Sequence, residues 1–185
     1  MIDDQVGKIL AALDQTGQAD NTLVIYVSDH GDYMGAHRLM LKGIPAYDQA
    51  YRVPLLMAGP GIPRGKTISQ RVNHLDLAAS IFPLLGLERS SSSDEFSHRT
   101  LGRSLLPLLD DDPREHSAWS SQHFAECHGQ RFAYTQRVLW WQDYKYVFNG
   151  FDQDEFYNLA DDPDEMHNLA QDPAMAGVIE EMAAR

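Results

Sequence analysis

The sequence predicts an α/β piece followed by a small α+β module with an antiparallel sheet and a terminal helix. Three observations carry that reading. An amphipathic segment leads into a short apolar run that ends in polar residues, a second apolar run precedes another helical segment, and beyond Trp119 aromatic and β-branched residues gather in short runs. The boundaries that follow are an α/β piece over residues 1–88, a linker over 89–117 and an α+β module over 118–185.

Residues 4–16 set Val6, Ile9, Leu10 and Leu13 three or four apart, with Asp3, Asp4 and Lys8 off that stripe, so a helix is expected with Gly17 as its C-cap. Thr22-Leu-Val-Ile-Tyr-Val27 reads as a strand buried on both faces, running into Ser28-Asp29-His30-Gly31-Asp32. Val53 to Met57 is a second apolar strand, closed by the turn cluster Gly59-Pro-Gly-Ile-Pro63. Asn73-His-Leu-Asp76 leads into a helix over Leu77 to Leu85, with Asp76 as N-cap or first-turn acid and Gly86 beyond it.

Ser90 to Ser93, flanked by charge, marks a loop. Gly102 to Leu109 is a short helix or turn. Phe132 to Trp141 and Tyr144 to Phe148 read as antiparallel strands, Phe156-Tyr-Asn-Leu159 follows them, and Pro173 to Met182 is a terminal helix.

Composition narrows the partners. The 185 residues hold 27 acids against 15 Lys or Arg, net -12, which argues against nucleic acid or an anionic membrane because clustered cations are scarce. From residue 143 onward there are 11 acids and 2 bases, so net -9 sits in the last quarter and net -3 in the rest. One cysteine, Cys127, rules out an intrachain disulfide and a multi-cysteine zinc site, and leaves the compartment open. No apolar run approaches the roughly 20 residues of a membrane span, and no leader follows Met1.

Chemistry concentrates after the first strand. Open α/β sheets bind ligands at the carboxyl ends of their strands, which is where Asp29 and His30 lie. A carboxylate and a neutral imidazole are good divalent ligands, yet two ligands make half a site. Lys42 can return over the same edge as a point charge for an anion. Spacing alone favours the plainer reading, Asp29 as a turn cap and His30 as an ordinary loop residue.

A wider set of residues resembles a known family. Thr22 to Asp32, then Gly35, His37, Lys42-Gly-Ile-Pro45, Tyr47 and Arg52-Val-Pro-Leu55, is similar to the C-terminal part of the catalytic domain of sulfatases, within the alkaline-phosphatase-like superfamily. Gly59-Pro-Gly61, Asn73 to Asp76, Leu84-Leu-Gly86, Lys145-Tyr146, Phe156 to Leu159, Asp162-Pro-Asp-Glu165 and Asn168-Leu169 continue it in family order. The resemblance implies an alkaline-phosphatase-like mixed or parallel sheet, of which the last strands remain here. It also implies a divalent ion, Ca2+ or Mg2+, on Asp29 and His30, and Lys42 on the sulfate and its bridging oxygen. His37 is implied as a pocket residue, and a backbone-bonded loop histidine fits it equally; His128 is a further candidate to approach substrate.

The departure from the family is as informative. Its nucleophile is a formylglycine made in a Cys/Ser-x-Pro/Ala-x-Arg motif, and neither that motif nor the family's early Asp metal pair occurs here. Asp3-Asp4 begins a helix, where carboxylates offset the dipole. Cys127-His-Gly-Gln-Arg131 has Gly129 where the motif needs Pro or Ala, so Cys127 reads as a structural thiol.

The expected activity is therefore sulfuric ester hydrolysis in the intact parent, with this chain inactive alone. Phosphonate monoester or phosphodiester hydrolysis, and a non-catalytic binding or subunit module, are the alternatives. Missing neighbour strands should leave apolar faces of Leu23 to Val27 and Leu55 to Met57 exposed, favouring poor solubility, self-association or a partner that carries the N-terminal half.

Overall fold

The computed structural model describes residues 1–87, 102–110, 112–129 and 133–185. The expected Ser90 to Ser93 loop, and the Gln130-Arg131 end of the cysteine segment, lie outside them. Two compact units emerge. One comprises Met1–Asp29, Pro54–Ser69 and His74–Pro113, the other His30–Val53, Gln70–Asn73 and Arg114–Arg185.

In the first unit, helix α1 spans Ile2–Gln15 and strand β1 spans Val24–Val27. Gly17 adopts φ +68, its N–H donates to the Asp14 carbonyl and that of Gln18 to the Leu13 carbonyl, which is the Schellman closure expected of a C-cap glycine. Strand β2, Leu55–Ala58, pairs with β1 antiparallel, Val24 opposite Ala58 and Val27 opposite Leu55. The pair fits the mixed sheet of the expectation and not an all-parallel one; the chain between the two strands runs through loop, a 3-10 turn, Ala36–Arg38, and one short α-helical turn, and an antiparallel pair needs no covering crossover helix.

Burial on both faces of β1 is also not observed. Tyr26 and Val27 are exposed, Leu56 is 65% exposed, and α1 buries none of its residues, with Ile9 of its apolar stripe 62% exposed. The exposure of apolar strand faces matches the expectation for strands without their neighbours.

Helix α3 spans His74–Leu84, three residues earlier than its apolar run begins. Asp76 is the buried acid of its first turn, one of the two places expected of it, and its Oδ1 accepts the Arg103 N–H at 2.8 Å, so it also holds a distant segment. Ser80 Oγ does the same for the Leu105 N–H at 2.8 Å. Gly86, at φ +67, repeats the Schellman pattern with Leu87. Short helices α4, Leu106–Leu109, and α5, Pro113–Ala118, follow, and the second of these leads into the other unit.

The second unit is built on a four-stranded antiparallel meander, β3 Gln122–Cys127, β4 Gln136–Trp141, β5 Tyr144–Asn149 and β6 Glu155–Asn158. The register sets Ala125 opposite Val138 and Val138 opposite Val147, which places all three on one face. That face forms the core with Ala46, Tyr51 and Trp140. A single helical turn, α2, Asp48–Tyr51, lies in this unit and carries Tyr51 into that core. The expected terminal helix is a 3-10 turn, Pro173–Met175, continuing as α6, Ala176–Ala183, which lies against β5 and buries Met182. No helix among the described residues is long and apolar enough to cross a membrane.

Candidate functional site

The polar segment beyond β1 folds into a tight loop in the second unit. Gly31 donates its N–H to the Ala50 carbonyl at 2.8 Å, and a Cβ built on Gly31 would stand 1.9 Å from the Gln49 carbonyl oxygen, so only glycine allows this approach. Asp32 Oδ1 accepts the Met34 N–H in an Asx turn. The loop then closes on itself, with Tyr33 N–H on the Leu41 carbonyl at 2.8 Å and the Tyr33 hydroxyl donating to the Pro45 carbonyl.

This loop is strained. Met34, His37, Arg38 and Leu41 all have φ between 47 and 64, a region that costs a non-glycine residue roughly 1 kcal/mol. Such conformations persist where surrounding structure over-determines them, and they gather at functional sites.

His30 is oriented by its own backbone neighbour. Its Nδ1 lies 2.8 Å from the Gly31 carbonyl oxygen, which can only accept, so the proton sits on Nδ1 and the lone pair on Nε2. That Nε2 meets the exposed Lys42 Nζ, which donates to it. A cation thus already occupies the lone pair, and a backbone-fixed imidazole is how metal-ligating histidines are commonly held. A metal on His30 would have to take the place of Lys42 at Nε2. Among the described residues, however, no group of three or more His, Cys, Asp or Glu side chains gathers as a metal cluster.

The remaining predicted residues fall elsewhere. Asp29 is exposed and ends the first unit's opening segment. His37 stacks flat on Tyr47, ring centroids 3.6 Å apart and planes 3° apart. His128 is exposed beyond β3, between Thr135 Oγ1 and Glu126 Oε1 at 3.4 Å each. Cys127 Sγ lies 3.3 Å from the Tyr134 hydroxyl, and its side chain is half-buried. A cleft of about 760 Å³ lies where the four-stranded sheet meets α6, lined by residues such as Phe124, Arg137, Tyr146 and Arg185; none of the predicted site residues lines it.

Two features were missed from the sequence. In the first unit His74 Nε2 donates to the Ser28 carbonyl oxygen at 2.7 Å, one residue before Asp29. In the second, Lys145 is fully buried with its Nζ 2.5 Å from Glu165 and 3.1 Å from Asp48. Burial pushes the Glu165 carboxyl above its ordinary range, and the Lys145 ammonium and Asp48 amide oppose that rise.

The polar, strained loop that follows β1 thus holds one oriented imidazole, His30, and one ammonium, Lys42, in contact. Residues 1–87 match the Sulfatase family. An uncharacterized sulfatase of Escherichia coli (strain K12), YidJ, is 34% identical over 168 residues, which is 88% of this chain and 30% of that protein. A solved putative sulfatase from Bacteroides thetaiotaomicron VPI-5482 superposes with a TM-score of 0.81 at 30% identity, covering 99% of this chain and 39% of that one. The phosphonate monoester hydrolase of Agrobacterium radiobacter gives 0.83 at 28% identity, covering 99% and 38%. The chain belongs to the sulfatase family. It spans about 30% of the length of the curated relatives it matches.

Proposed function

We propose that this chain supplies the oxyanion-handling part of a sulfuric ester hydrolase. The single observation that carries the reading is His30, tautomer fixed on the Gly31 carbonyl, with Nε2 facing Lys42. Hydrolysis of a sulfate monoester moves negative charge onto the leaving oxygen, and an ammonium beside it stabilises that charge directly. Lys42 is the group for this role. Residues 28–52 carry Asp29, Asp32 and Asp48 against Arg38, Lys42 and Arg52, so the loop is formally neutral despite the acidic chain.

Asp29 and His30 are the residues that would hold a divalent ion, Ca2+ or Mg2+. When bound it supplies positive charge to the sulfate oxygens. His30 would give its Nε2 lone pair in exchange for the Lys42 hydrogen bond, and Lys42 would then be the ammonium that faces the anion. His37 and His128 are carried as candidate substrate contacts.

The chain has no Cys/Ser-x-Pro/Ala-x-Arg segment, so the formylglycine nucleophile has to come from a partner or from sequence beyond residues 1–185. The exposed apolar residues of β1 and β2 support an association of that kind. Two further readings rest on specific observations. Likeness to a phosphonate monoester hydrolase supports hydrolysis of phosphonate monoesters or phosphodiesters, and the absent motif supports a non-catalytic binding module.

The test is a titration of the chain with Ca2+ and then inorganic sulfate, followed by NMR at His30 and Lys42. Saturable shifts at both, lost in Lys42→Ala for sulfate and in His30→Ala for Ca2+, are expected. Equal responses in the variants would set the reading aside.

A further inference from the structure

Lys145 and Glu165 pose a physical question. Both are buried, and a buried ion pair contributes little net stability, since an apolar pair of similar volume serves as well or better. What such a pair offers and an apolar pair does not is directed bonding to a third group. Here that group is Asp48: Lys145 Nζ reaches its Oδ1 at 3.1 Å, and Glu165 Oε2 accepts its backbone N–H at 2.6 Å.

Asp48 begins α2, which is only four residues long. One isolated helical turn has no stability of its own, so its position is set by what grips it. At its first residue the grip is the Lys145–Glu165 pair. At its end, Tyr51 packs on Trp140 with centroids 5.7 Å apart, and Lys145 Nζ sits 5.2 Å above the Trp140 ring. From its middle, the Ala50 carbonyl receives the Gly31 N–H, and the Gln49 carbonyl faces Gly31 so closely that no side chain fits between. Gly31 in turn holds His30 through its carbonyl, and His30 meets Lys42.

Glu165 itself is delivered by a fixed turn. Asp162 accepts the N–H groups of Met166 and His167, Glu165 takes φ +57, and the turn is stapled to β6 by Asn168 Oδ1 on the Phe156 N–H and by Leu169 N–H on the Phe156 carbonyl. The chain of contacts from the C-terminal turn to the candidate loop is continuous, and every member lies in one compact unit.

We propose that Glu165, Lys145 and Asp48 are positioning residues for His30 and Lys42, acting through α2 and Gly31. Their importance for function rests on the oxyanion-site reading above, but the positioning itself does not need metal, substrate or turnover to be measured.

The test uses the full chain with Glu165→Gln and with the apolar double replacement Lys145→Met/Glu165→Leu. Native-state amide exchange is read at Gly31, the imidazole 15N shifts of His30 report its tautomer, and amides of β4 and β5 report the sheet. Exchange at Gly31 should rise about tenfold or more while the β4 and β5 amides keep their protection, because loss of the grip on Asp48 opens the loop locally. The His30 shifts should move toward a mixture of tautomers. Unchanged exchange at Gly31 and unchanged His30 shifts in both variants overturn the proposal. Exchange rising in step at Gly31, β4 and β5 also overturns it, since the pair is then a general core contact. Faster Gly31 exchange together with no Ca2+ or sulfate response in the wild-type chain would leave the positioning standing and remove the oxyanion-site reading.

Discussion

His74 donates from Nε2 to the Ser28 carbonyl oxygen across 2.7 Å, so the first residue of α3 is tied to the strand exit immediately before Asp29. A single exposed hydrogen bond of this kind is worth about 1 kcal/mol. His74→Ala should lower stability by about that amount in urea unfolding. A loss several times larger would mean that His74 carries more than this bond.

Gly31→Ala should be far more costly. The added Cβ meets the Gln49 carbonyl oxygen at 1.9 Å, a backbone atom that cannot rotate away. Overpacking against fixed atoms costs about 3 kcal/mol, so unfolding should shift by that order and the Lys42 loop should lose its amide protection. A variant as stable as the parent would contradict the close approach of Gly31 to α2.

Removing Lys145 alone leaves a buried carboxyl without its cation. Lys145→Met should destabilise by about 3 to 5 kcal/mol, and adding Glu165→Leu should recover most of it. The double-mutant cycle measures this, and additive losses would show that the two groups do not act as a pair.

The Asp162 turn gives the pH dependence. Burial alone would raise its carboxyl, but the Met166 and His167 amides outweigh burial and hold it below its ordinary 3.8. The folded form therefore binds its proton more weakly than the unfolded chain. The turn's stability is fully present above about 3.8 and is lost as pH falls below it toward the depressed folded value. Amide exchange at Met166 and His167 should accelerate only in that acid window, and in Asp162→Asn the window should vanish.

Among the described residues no third strand pairs with the two-stranded sheet, and its exposed apolar side chains invite association. Leu56→Lys should shift light-scattering mass toward monomer. An unchanged distribution in a chain that self-associates would place the contact elsewhere.

Much of this was legible in the residues. The apolar runs around Ile25 and Leu56 gave their strands, and Gly17 and Gly86 ended helices because each supplies the positive φ that a Schellman closure needs. The loop bearing His30 and Lys42 was legible as polar chemistry between two strands. Pairing direction was not, because an apolar run carries no sign of whether its neighbour runs with or against it. Asp76 was legible as an acid of the first helical turn, but its bond to the Arg103 N–H, 27 residues away, was not. The buried pair was illegible for the same reason. Lys145 and Glu165 entered the sequence only as parts of family-like segments, with no sign of burial, and only the fold brings them together with Asp48, 97 residues from Lys145. His74 left a faint signal, a histidine directly before an apolar helical run.

The central claim, that Lys42 and His30 serve hydrolysis of an oxyanion ester, is tested most directly by turnover. The chain would be joined or co-expressed with a sulfatase segment bearing the Cys-x-Pro-x-Arg motif and assayed on an aryl sulfate and a phosphonate monoester, alone and assembled. Sulfate-ester hydrolysis that requires a divalent ion, appears only in the assembly, is abolished by Lys42→Ala or His30→Ala and survives Cys127→Ala is the predicted result. Turnover undiminished by Lys42→Ala would contradict the account.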